Sequence, residues 1–122
     1  MFEVSCQLTF AAAHALRGYK GKCERTHGHN YRVEVTAEGE RLNEIGLLFD
    51  FVELKEAMRA VIDRIDHTFL NENPPFDTVN PSAENIARFF YEELRKPLEG
   101  RAHVSQVRVW ETDNSVASYR PK

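Results

Sequence analysis

The stretch His27-Gly28-His29-Asn30-Tyr31-Arg32-Val33-Glu34-Val35-Thr36-Ala37-Glu38 decides the fold. Tyr31, Val33, Val35 and Ala37 alternate with Arg32, Glu34, Thr36 and Glu38, a period of two that predicts a strand with one buried and one polar face. His27 and His29 fall on the apolar parity, with only the hydrogen of Gly28 opposing them. Two imidazoles therefore point inward at one place.

Toward the N-terminus, Phe2, Val4, Cys6, Leu8 and Phe10 alternate with Glu3, Ser5, Gln7 and Thr9, which predicts a first half-buried strand ending at His14. A loop from Ala15 to Thr26 joins it to the second. Toward the C-terminus, Asp50 with Glu53 three residues on signals a helix start, and Leu54, Met58, Val61, Ile62 and Ile65 recur at helical spacing. The segment Asn71 to Pro81 holds three of the five prolines and reads as a loop. Ser82 then caps a second predicted helix with Ile86, Phe89, Phe90 and Leu94 on one side. Val104 to Thr112 and Ser115 to Tyr119 read as two further strands around an Asp113-Asn114 turn. The expected class is α+β in the order ββααββ, a four-stranded antiparallel sheet with two helices on one face. Such a sheet leaves open edges, and oligomerisation by edge pairing would protect them.

A length of 122 residues suits one domain over 1–122, with a small core and no room for a deep private substrate cavity. The composition, 42% hydrophobic and 29% charged, is that of an ordinary globular protein, and the net charge of -3 argues against general nucleic-acid binding. A small-molecule partner is expected. With no basic-then-apolar leader and no apolar run long enough to span a bilayer, the expectation is a cytoplasmic protein without a membrane partner. Two cysteines do not make a disulfide framework. Cys6, on an apolar strand parity, reads as a buried inert thiol, whereas Cys23 is chemically placed.

His14 is the best third partner for the His27/His29 pair, since it ends the first strand just before the loop that leads back to them. His67 and His103 are less well placed, and His103 reads as a surface residue. Zinc prefers nitrogen and sulfur ligands, and a catalytic site supplies three while leaving a fourth position open. Cys23 as a fourth ligand would instead close a structural site, and spacing leaves both readings standing. Glu111 shares the parity of Val107 and Val109, so it either turns a carboxylate inward toward a ligand with paired N–H groups or marks a solvated strand end. Glu84 is accounted for by the preference for acids in a helix's first turn. Arg17, Lys20, Lys22 and Arg25 form a basic cluster around Cys23, either solvated or able to receive phosphate groups. Asp66-His67 reads either as a polar helix end or as an acid/base pair in which the carboxylate fixes the imidazole.

Phe10-Ala-Ala-Ala-His14, Cys23-x-x-x-His27-Gly-His29, Asp50-Phe51, Asp66-His67, Pro81-Ser-Ala-Glu-Asn85 and Glu111-Thr112-Asp113 together resemble the 6-pyruvoyltetrahydropterin synthase / 6-carboxytetrahydropterin synthase family, in order and nearly end to end. The resemblance implies the tunnelling fold, with subunits paired into trimeric barrels and two trimers stacked as a hexamer. It implies sites built between subunits. By the same resemblance His14, His27 and His29 would hold Zn2+, and Cys23 would be a catalytic thiolate completing a triad with Asp66 and His67. Glu111 would anchor the pterin ring and Glu84 would make a second pterin contact. The implied substrate is 7,8-dihydroneopterin triphosphate, and the implied activity that of a lyase. Its product would be 6-carboxytetrahydropterin on the queuosine and 7-deazaguanine route, or 6-pyruvoyltetrahydropterin. Glu24-x-x-His27-Gly-His29 also resembles a branch that cleaves this substrate to 6-hydroxymethyl-7,8-dihydropterin for folate synthesis. Cys23 and Glu24 side by side resemble the subgroup serving both pathways. The non-enzyme alternative is a structural zinc or pterin-binding module.

Overall fold

A computed structural model describes residues 1–18 and 25–122. Two long strands, β1 (Phe2–His14) and β2 (His27–Gly39), pair antiparallel from Phe2↔Gly39 to His14↔His27. After α1 (Phe51–Ile62) comes a two-residue strand β3 (Thr68–Phe69), then α2 (Ala83–Arg95) and the hairpin of β4 (His103–Thr112) and β5 (Ser115–Tyr119). The sheet order is β3-β1-β2-β4-β5. The expected four-stranded antiparallel sheet is thus corrected to a five-stranded mixed one, because β3 runs parallel to β1 through Ala12↔Thr68 and Ala13↔Phe69. Two residues are too short to show any periodicity, and their extended state is fixed by pairing with β1.

The burial follows the alternation. Cys6 lies opposite Val35, Phe10 opposite Tyr31 and Val33 opposite Val109, and all six are buried on one sheet face. Leu54, Met58, Val61 and Ile62 of α1 and Ile86, Phe89, Phe90 and Leu94 of α2 cover that face. Phe10 stacks on Tyr31 with ring centroids 4.9 Å apart. Removing this apolar area from water is the main favourable contribution to the fold. The opposite face is polar: Ser5 and Thr36 hydroxyls bond at 2.8 Å, Gln7 Nε2 donates to Glu34, and Arg32 and Arg108 both lie over Trp110.

Both helix starts are those expected. Asp50 caps α1 by accepting from the Val52 N–H at 2.8 Å, and Ser82 caps α2 by accepting from the Asn85 N–H at 3.2 Å. Glu53 does not reach back to its cap; it pairs with Arg101 at 3.0 Å. Two irregularities shift the pairing, between Thr36 and Ala37 on β2 and between Trp110 and Thr112 on β4. The first lets Val104 and Val107, on opposite parities, both face the core. No helix among the described residues is long and apolar enough to cross a membrane.

Candidate metal centre

The β1–β2 register sets His14 directly opposite His27, and His29 lies two residues further along β2 on the same face. Their rings pack edge to face, with centroids 4.6 Å apart for His14 and His27, 5.2 Å for His14 and His29, and 4.8 Å for His27 and His29. Glu111 completes the group. One ligating atom from each of His14, His27, His29 and Glu111 lies within 4.8 Å of all the others. Glu111 is the extra residue of the irregularity at the end of β4, between the Trp110↔Val116 and Thr112↔Ser115 pairs, and it keeps the inward parity of Val107 and Val109.

The hydrogen bonds settle which ring nitrogens are free. His14 Nδ1 lies 2.8 Å from the Pro81 carbonyl and His27 Nδ1 lies 2.7 Å from the Arg25 carbonyl. A carbonyl oxygen only accepts, so both Nδ1 atoms carry hydrogen. In the neutral rings both Nε2 atoms are then lone pairs, yet they face each other at 3.0 Å. Two facing lone pairs repel, and a cation shared between them, a metal ion or a proton, removes that repulsion. Tetrahedral zinc with Zn–N bonds of about 2.0–2.1 Å would hold its nitrogens about 3.3 Å apart, close to this separation. Backbone carbonyls orienting the non-ligating nitrogen are the usual second support of a histidine metal site.

His29 adds an unsatisfied atom. Its Nε2 lies 3.1 Å from Glu111 Oε1 but without hydrogen-bond geometry, so it is buried and unpartnered among the described residues. Burial pushes the His29 pKa down, outweighing the opposing pull of the Glu111 carboxylate, and the neighbouring histidines push it the same way. The ring is therefore neutral at neutral pH, and its approach to Glu111 is not an ion pair. An unpartnered imidazole nitrogen beside a carboxylate offers two ligating atoms to one shared cation.

The other expected residues are distributed more widely. Asp66 Oδ1 accepts from the Ala11 N–H at 2.9 Å and from His67 Nδ1 at 3.0 Å. The Ala11 bond, followed by the contact with His67, holds the Asp66 carboxyl below the ordinary carboxylate range. His67 has a φ of 59° and an exposed side chain, and its N–H donates to the Ala11 carbonyl at 2.6 Å. It opens onto a depression of about 470 Å³ that it shares with His29, together with Ala11, Ala12, Gly28, Asn30 and Phe69. Asp66 and His67 are not among the clustered ligating groups, but His67 and the cluster meet along this depression. Glu84 is exposed in the first turn of α2. His103 is exposed, and Cys6 is buried with its thiol pKa raised by that burial, both as expected. Cys23, Glu24, Lys20 and Lys22 lie outside the described residues. The orienting carbonyls of Pro81 and Arg25 escaped sequence reasoning, because any residue has a carbonyl.

Fold and cluster define a class: an α+β protein with three histidines and a glutamate arranged as a metal centre at one end of its sheet. Within that class the chain belongs to the 6-pyruvoyl tetrahydropterin synthase family, whose profile matches residues 3–122. It is 34% identical over 129 residues to the 6-carboxy-5,6,7,8-tetrahydropterin synthase of Bacillus subtilis, covering 99% of this chain and 86% of that protein. It is 33% identical over 132 residues to the human 6-pyruvoyl tetrahydrobiopterin synthase, covering 97% and 90% respectively. The solved structure of 6-pyruvoyl tetrahydropterin synthase from Caenorhabditis elegans superposes with a TM-score of 0.91 at 28% identity, covering 99% of this chain and 96% of that one. The chain is accordingly a lyase of this family with the tunnelling fold.

Proposed function

We propose that this chain is a zinc-dependent 6-carboxy-5,6,7,8-tetrahydropterin synthase acting on 7,8-dihydroneopterin triphosphate in the cytoplasm, with residues 1–122 as one domain. The observation that carries the metal is the pair of His14 and His27 lone pairs facing each other beside unpartnered His29 Nε2. The similarity to the 6-carboxytetrahydropterin synthase of Bacillus subtilis supports the product, and Cys23 supports the chemistry. His14, His27 and His29 would hold the zinc, which would stabilise negative charge on a substrate side-chain oxygen.

The chain's own groups move the protons. Cys23, as a thiolate favoured by the basic residues around it in the sequence, takes a proton from the substrate side chain. His67, oriented by Asp66, carries a second. Glu111 accepts hydrogen bonds from the pterin ring, and Glu84 makes a second contact from the start of α2. His67 and the ligand candidate His29 line one open depression. That depression is shallow and the sheet's edge strands β3 and β5 are incompletely paired, which supports a site completed by further copies in a hexamer of stacked trimers. Family membership and the lyase assignment weigh against a purely structural zinc or pterin-binding module.

Two neighbouring activities compete. Elimination without carbon–carbon cleavage gives 6-pyruvoyltetrahydropterin, and Glu24 beside Cys23 favours some folate-type cleavage to 6-hydroxymethyl-7,8-dihydropterin. Incubation of zinc-loaded protein with 7,8-dihydroneopterin triphosphate, with products identified by mass, separates all three. We expect 6-carboxytetrahydropterin to dominate. Cys23→Ala should abolish it without releasing zinc, and Glu24→Ala should suppress only the hydroxymethyl product. Zinc loss in Cys23→Ala would point to a fourth ligand, and no turnover by the parent protein would sink the proposal.

A further inference from the structure

A donor without an acceptor stands beside an acceptor without a donor at the inner side of the histidine cluster. Tyr31 is fully buried, and its hydroxyl has no hydrogen-bond partner among the described residues. Taking a hydroxyl out of water without replacing its hydrogen bond costs free energy, so buried hydroxyls are normally paired. The Glu111 carboxylate is the complementary case. It approaches His29 Nε2 at 3.1 Å without hydrogen-bond geometry, and no donor among the described residues bonds to it.

The strand register makes the two groups neighbours. β2 and β4 pair as far as Arg32↔Trp110, so Tyr31 and Glu111 are the next residues along the two strands, and both face inward. Side chains at such cross-strand positions have Cβ atoms about 5 Å apart, within reach of a tyrosine and a glutamate. The electrostatics agree: after burial itself, the Glu111 charge is what raises the Tyr31 pKa. The hydroxyl is therefore a protonated donor. Its ring is held in place, stacked on Phe10 and edge to face with His14 and His29 at centroid distances of 5.9 and 5.6 Å. Glu111 is only partly buried, so it is the partner with room to turn.

We propose that Tyr31 is a positioning residue whose hydroxyl donates to the Glu111 carboxylate when that carboxylate takes its ligand, fixing its direction and holding it in the charged form. This rests on the reading of Glu111 as the pterin anchor. A carboxylate offers about four lone-pair sites, so it can accept from Tyr31 and still present both oxygens to the paired N–H groups of the ring. The histidine nitrogens bind metal without the hydroxyl, so metal binding and ring anchoring are separable.

Tyr31→Phe tests this, since it removes the hydroxyl and keeps the ring in its stack. In the zinc-loaded variant, equilibrium binding of pterin, followed by the ligand's own fluorescence, should weaken at least threefold. Zinc affinity, measured by competition with a chelator, should stay within twofold. The urea midpoint of the metal-free, ligand-free variant should be unchanged or higher, because that state has no hydrogen bond to lose. In a Glu111→Ala background the same change should weaken pterin binding less than twofold, the acceptor being gone. An unchanged pterin affinity in Tyr31→Phe overturns the proposal, as does a loss of equal size with and without the Glu111 carboxylate, or one that only tracks released zinc. If the zinc-loaded parent binds no pterin, the pterin reading of the site fails and takes this proposal with it. Pterin binding that Tyr31→Phe leaves intact overturns this proposal alone.

Discussion

At the scale of single residues, metal binding depends on a free imidazole nitrogen at His29. Burial favours the uncharged form of His29, so its folded pKa lies below the ordinary imidazole value near 6.5. The sign follows by linkage: the stability this ring contributes is fully present above the unfolded value and lost as pH falls through the lowered folded one. Because protons and metal compete for the same nitrogen, bound zinc should persist somewhat below pH ~6.5 and leave on further acidification. Metal content measured after dialysis across that range checks this, and release beginning well above pH 7 would contradict it. His29→Ala should lose most metal and activity together, so full stoichiometric zinc in that variant removes His29 from the ligand set. Glu111 stands near enough to His29 to be a ligand or, as proposed, the pterin anchor. As the anchor, its change to Gln should weaken substrate binding by about 1 to 3 kcal/mol through unpaired ring donors, with zinc retained. Loss of zinc with unchanged substrate affinity would make it a ligand instead.

Among the elements, α2 couples stability to the site. Its cap is Ser82, whose hydroxyl accepts from the Asn85 N–H, and the residue just before the cap provides the carbonyl for His14 Nδ1. Ser82→Ala should cost about 1 kcal/mol of stability, the usual loss of a helix cap. It should also weaken zinc binding, since the start of the helix frays where Pro81 is held. Urea denaturation and zinc titration of the same variant test both effects, and a loss of stability with unchanged zinc affinity would uncouple them. The strands act differently: thirteen β1–β2 residue pairs, from Phe2↔Gly39 to His14↔His27, fix the ligand register. A slip of one residue would turn every apolar side chain outward, so burial of the core keeps His14 opposite His27.

For the molecule as a whole, the open question is what covers the sheet's edges. Among the described residues β1 pairs with β3 only at Ala12 and Ala13, and β5 has a partner only in β4. Unpaired strand edges are templates for association with another chain. Sedimentation of the zinc-loaded protein should show a hexamer, or at least a trimer. A fully active monomer would refute assembly as the means of completing the site.

Much of this architecture was legible because it is local. Alternation in Phe2–Phe10 and Tyr31–Ala37 follows from covalent geometry, as do the caps at Asp50 and Ser82, so strands and helix starts could be read directly from residue order. The inward parity of His27 and His29 belongs to the same kind of information. What residue order lacks is every feature created by contact at a distance. The two residues of β3 are a strand only because β1 pairs with them, and the shifts near Thr36 and Trp110 break the parity that reveals a strand. The approach of His14 to His27 was implied by ligand chemistry but set by sheet register. Its orientation by the Pro81 carbonyl, 67 residues away, carries no side-chain signature at all. Sequence by itself determined which side chains face inward, since that needs only the backbone's own period. Tertiary structure alone decided which of them meet, because register and backbone hydrogen bonds are settled by the packing of the whole core.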